Sequence, residues 1–102
     1  MLLTTAAFVL ALSGDTPPVM RVPAAGLRLS EPAHAQIFAR RLVDQSRSFC
    51  AAHIEFLTPD HVGNPRVCER GMALEAVRAL PAERRAEFRQ AGGRRMVSRL
   101  QR

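Results

Sequence analysis

Apolar residues in this chain first run together, then alternate with polar ones, then settle into steps of three and four. Leu2, Leu3, Ala6, Ala7, Phe8, Val9, Leu10, Ala11 and Leu12 form one nearly unbroken block. Val19-Met20-Arg21-Val22, between Pro17-Pro18 and Pro23, and the alternating Leu27-Arg28-Leu29 lean towards β structure. Ala24-Ala25-Gly26 between them can turn the chain. The pattern predicts two short strands, or one strand and an extended segment.

After Leu29 the period becomes helical. Ser30 has the side chain of an N-cap, Glu31 suits the positive end of a helix, and Pro32 is tolerated in a first turn. Ala35, Phe38, Ala39, Leu42, Ser46, Phe49 and Cys50 recur on one face, while Arg40, Asp44 and Arg47 lie off it. This predicts a helix to about Ala52. His53 to Gly63 reads as a loop, with Thr58-Pro59-Asp60 and Gly63-Asn64-Pro65 as turn signals.

Asn64 as N-cap and Pro65 at the first helical position open a second helix that runs to about Leu80. Val67, Gly71, Leu74, Val77 and Leu80 form its stripe, widened by Cys68, Met72, Ala76 and Ala79. Pro81 either ends that helix or starts the next. Pro81 to Ala91 is rich in helix formers, with Ala86 and Phe88 as apolar content, and Gly92-Gly93 is a stop signal. Arg94 to Arg102 reads as a short basic tail holding Met96, Val97 and Leu100.

The leading block is about as long as the apolar core of an export signal, and too short for a membrane span, which needs roughly 20 residues. Ala11 and Ser13 supply small residues for cleavage before Gly14, or one or two residues later. No Lys or Arg precedes the block, so it is either a weak signal or the true start lies upstream. Gly14 to Pro18 reads as a solvated linker. The expected organisation is a signal peptide over 1–13, a linker over 14–18, one small domain over 19–91 and a basic tail over 92–102. No transmembrane segment is expected once the signal is removed.

Export changes the meaning of the two cysteines. In an oxidising compartment a disulfide is the ordinary fate of Cys50 and Cys68. Cys50 ends the first helix on its apolar face and Cys68 opens the second on its own. A bridge there ties an αα-hairpin across its loop, if the Cα atoms come within about 7 Å. A chain this short buries a modest core, so such a staple is useful. With no Trp, no Tyr and five Phe, the core is aliphatic with a few Phe anchors. An aromatic platform for single-stranded nucleic acid is excluded. The expected fold class is α+β and mostly helical. It has a short N-terminal β segment, a disulfide-linked αα-hairpin and a basic C-terminal helix or tail.

Several of these residues together resemble the UrcA family of small exported bacterial proteins. The resemblance covers about Val19 to Leu80. It is carried by Val19-Met20-Arg21-Val22, Gly26 to Ala33, the helix ending in Cys50, then Cys68 and Ala73-Leu74-Glu75-Ala76-Val77. Its strongest part is the Leu-x-Leu-Ser-x-Pro-Ala run from Leu27 to Ala33, with the cysteine pair. The chain departs from the family pattern in three places. Pro23 to Ala25 replace an expected tyrosine, Gly26 an acidic residue, and His34 a glycine. The resemblance implies an exported protein with a strand and two helices bearing a Cys pair. It implies no reaction.

Cys50, His53, His61 and Cys68 also have donor types that hold zinc tetrahedrally. The alternative is a disulfide with two loop histidines, and an oxidising compartment favours it. A cysteine nucleophile with His53 or His61, oriented by Glu55 or Asp60, needs a free thiolate, which a well-placed second cysteine opposes. There is no C-x-x-C redox motif, no haem attachment motif and no Gly-rich phosphate loop.

The net charge is +6, and all fifteen basic residues are arginine. From Pro81 onward seven arginines face only Glu83 and Glu87, whereas the rest of the chain is nearly balanced. Arg84, Arg85, Arg89, Arg94, Arg95, Arg99 and Arg102 are therefore candidates for contact with an anionic envelope surface. The alternatives are a solvated tail that keeps the protein soluble, and nucleic acid binding, which export disfavours. The sequence as a whole points to a non-enzymatic structural or interaction protein. It is expected to be periplasmic or secreted and to need no cofactor. Its partner would be an unknown protein or an anionic envelope surface, and not nucleic acid. Oligomeric state is left open.

Overall fold

The computed structural model describes residues 17–102. The apolar block read as an export signal, and most of the linker after it, lie outside the described residues. Four helices follow in order. They are α1 (Pro32–Leu57), α2 (Pro65–Arg78), α3 (Ala82–Gln90) and α4 (Gly93–Leu100), with a 3-10 turn at Pro59–His61 between the first two.

Among the described residues there is no strand, so the fold is all-helical and not α+β. The segment expected to be β folds into consecutive turns. The Leu27 N–H donates to the Ala24 carbonyl at 3.2 Å, and the Glu31 N–H to the Arg28 carbonyl at 2.9 Å. Gly26 takes a left-handed φ of 80°, which glycine adopts without penalty. The carbonyls a strand would offer to a neighbour go to side chains instead. Arg84 donates to the carbonyls of Ala24 and Leu27, and Arg41 to that of Pro23. The Arg28 N–H donates to His34 Nδ1 at 2.8 Å. Leu29 is fully buried by this fold-back, and Leu27 packs against the core.

α1 starts one residue later than expected. Glu31, not Ser30, holds the extended cap conformation, and Pro32 opens the helix. Its buried positions are Ala35, Phe38, Ala39, Leu42, Val43, Ser46 and Cys50. The Ser46 hydroxyl donates to the Leu42 carbonyl at 2.7 Å, which satisfies a group that burial would otherwise penalise. The helix kinks at His53 (φ −130°, ψ 18°), just past the expected end, and resumes to Leu57. The His53 ring lies against Phe49, with centroids 4.7 Å apart.

α2 runs back along α1 from the Asn64–Pro65 start, and the hairpin is closed by the Cys50–Cys68 disulfide. The two Cα atoms are 5.9 Å apart, and both cysteines are buried. Closing a loop of this size stabilises the fold by about 3 kcal/mol in the chain-entropy account.

α3 contributes Phe88, whose ring meets Phe38 edge to face at a centroid distance of 5.3 Å. Residues 92–102, expected to be a basic tail, are part of the same core. Gly92 (φ 86°) turns the chain, and α4 lies against α1 with Gly93 and Val97 buried. Gly93 sits against the Phe88 ring. Arg47 of α1 closes the end of α4 by donating to the Leu100 carbonyl at 2.9 Å.

An arginine-lined face as candidate functional site

The exposed side of α2, α3 and α4 carries three adjoining hollows. The first lies between α2 and α4, over a floor of Ala73, Leu74, Val77 and Val97, with Arg70 and Arg94 at its edges. The second shares Leu74 and Val77 and is edged by Arg78, Arg85, Arg89 and Arg94. The third, at the corner of α3 and α4, is lined by Arg89, Gln90, Gly92, Arg94 and Arg95. Arg94 belongs to all three.

Local sequence explains the grouping. Arg70, Leu74, Val77 and Arg78 fall on one side of α2 through steps of three and four. The left-handed Gly92 lets α4 begin at once after α3. Arg89 in the last turn of α3 and Arg94 in the first turn of α4 thereby come to one corner, while Val97 points inward.

Six arginines line the hollows, and no acidic side chain does. The ion pair recorded for these six among the described residues joins Arg78 to Glu75 at 3.8 Å, and both side chains are well exposed. Such a pair contributes little. The face is thus a concentration of positive charge around exposed apolar surface, with Leu74 40% accessible. The first hollow measures about 210 Å³ and is open to solvent, smaller than the cavities that enclose small molecules.

The seven arginines singled out from the C-terminal end separate into two kinds. Arg89, Arg94 and Arg95 are exposed and line the hollows. Arg84 is half-buried and holds the N-terminal turns. Arg85 edges the second hollow but also donates to the Arg78 carbonyl at 2.8 Å and the Leu80 carbonyl at 3.4 Å, closing the end of α2. Arg99 and Arg102 are exposed and lie outside the hollows. Arg70 and Arg78 were not expected from the sequence. The charge of α2 is nearly balanced when counted along the chain, and the helical stripe around Leu74 was the signal that would have found them.

The bridge removes the other constellations. Both sulfurs are bonded to each other, so neither Cys50 nor Cys68 offers a thiolate to zinc or to a substrate. His53 stacks on Phe49, His61 is exposed in the 3-10 turn, and Glu55 and Asp60 are exposed. Among the described residues no group of three or more His, Cys, Asp or Glu is placed to hold a metal ion. Among them, too, no helix is long and apolar enough to cross a membrane.

No family model matches the chain. Comparison with curated proteins and with solved structures likewise gives no match. The likeness to the UrcA family therefore rests on the residues that carry it.

Proposed function

We propose that this protein is a non-enzymatic interaction module that acts in the periplasm or outside the cell. It binds an anionic partner or surface through the arginine-lined face. The observation that carries this reading is the gathering of six arginines, without a carboxylate, around Leu74 and Val77. Arginine stays protonated at all working pH values, so such a face binds anions and does not transfer protons. Like charges held together repel one another, and an anion relieves that repulsion.

Three features support export. The leading apolar block has the length of a signal core, the cysteines are paired, and the run from Leu27 to Ala33 resembles the UrcA pattern. Export also takes the face away from nucleic acid.

The test uses two variants with the same change in charge. R89A/R94A removes two arginines from the hollows, and R99A/R102A removes two from outside them. On an immobilised polyphosphate column the first pair elutes at clearly lower salt than the wild type and the second pair close to it. Equal losses would reduce the binding to net charge and end the reading.

A further inference from the structure

The geometry points to a phosphate headgroup of an anionic phospholipid, at a bilayer surface, as the occupant of the arginine-lined face. This rests on that face being the contact surface. Two observations choose the lipid over an acidic protein. The apolar floor is short: Leu74 and Val77 are one helical turn apart. A docked amphipathic helix is held by anchors spread over i, i+3, i+4 and i+7, and this floor seats one or two. The charge, in contrast, is dense. Arg78, Arg89 and Arg94 converge on a single hollow. Forked guanidiniums match the several oxygens of one phosphate in a small volume.

The apolar floor then has a place in the same contact. With a phosphate held at Arg89 and Arg94, the glycerol and first methylenes of the lipid lie towards Leu74, which is exposed beside them. Arg70 and Arg95, at the far edges of the first and third hollows, reach neighbouring headgroups. Several basic residues on one face attract an anionic leaflet additively. The contact is peripheral, and none of the described helices enters the bilayer as a span.

Sedimentation of the disulfide-intact protein with vesicles tests this. One set contains phosphatidylglycerol in phosphatidylcholine, the other phosphatidylcholine alone. Binding is expected only to the first set and to weaken with salt. R89A/R94A is expected to lower it about tenfold or more, and R99A/R102A by much less. Circular dichroism confirms that both variants are helical. R89K/R94K, which keeps charge without the fork, is expected to fall between the wild type and R89A/R94A. Equal binding to neutral vesicles overturns the inference, as does an equal loss in the two alanine pairs. Position-dependent retention on polyphosphate without vesicle binding also overturns it, and leaves the anion-binding face standing. Tight binding of an acidic helical peptide in place of vesicles has the same meaning.

Discussion

Gly93 is the residue whose size the core tolerates least. A Cβ added there would meet three atoms of the Phe88 ring, which is itself fully buried against Phe38. The ring has no free space to retreat into, so α4 must move away from α3. G93A is expected to destabilise the protein by about 1–3 kcal/mol, the usual cost of overpacking, although alanine is the better helix former. Urea unfolding followed by circular dichroism reads this directly, since the chain has no Trp or Tyr to report by fluorescence. An unchanged midpoint would show that the contact between α3 and α4 is slack. The Gly92-Gly93 pair was legible as a break between helices. That its second member is a packing position was not, because no sequence pattern indicates which ring will lie on a glycine.

At the scale of elements, the αα-hairpin was readable and the N-terminal segment was not. α1 and α2 announce themselves through apolar residues at three- and four-residue steps, and Asn64–Pro65 marks the start of α2. The geometry that joins Cys50 to Cys68 follows from those two faces. Leu27-Arg28-Leu29 misled because alternation is compatible with a strand and with a tight turn that buries alternate residues. What decides between them is the partner of the backbone, and here the partner is Arg84, 57 positions away from Leu27. The face around Arg94 was half legible for a similar reason. Its α3 and α4 members stand out as a charge run, while Arg70 and Arg78 join it only through the packing of α2 on α1. For the bridge itself, C50A/C68A is expected to lose about 3 kcal/mol of stability, read as a lower urea midpoint, with its helices retained. A midpoint equal to that of the wild type would mean that packing alone holds the hairpin.

For the molecule as a whole, export and the bridge are tested together by intact mass of the protein recovered from outside the cytoplasm. The expected mass is that of the chain cleaved near Gly14, less two hydrogens, with no uptake of an alkylating agent before reduction. Two alkylated cysteines or an intact leading block would remove the argument for an oxidising compartment. The bridge has another consequence for a protein that works among proteases. It encloses the exposed stretch around Phe56 to Arg66, the part of the chain most open to cutting. A cut there separates nothing. The two pieces stay on one covalent frame, α1 and α2 remain paired beyond the bridge, and the arginines of α2, α3 and α4 stay on the C-terminal piece. The hairpin loop is a place where the molecule can be damaged and go on working.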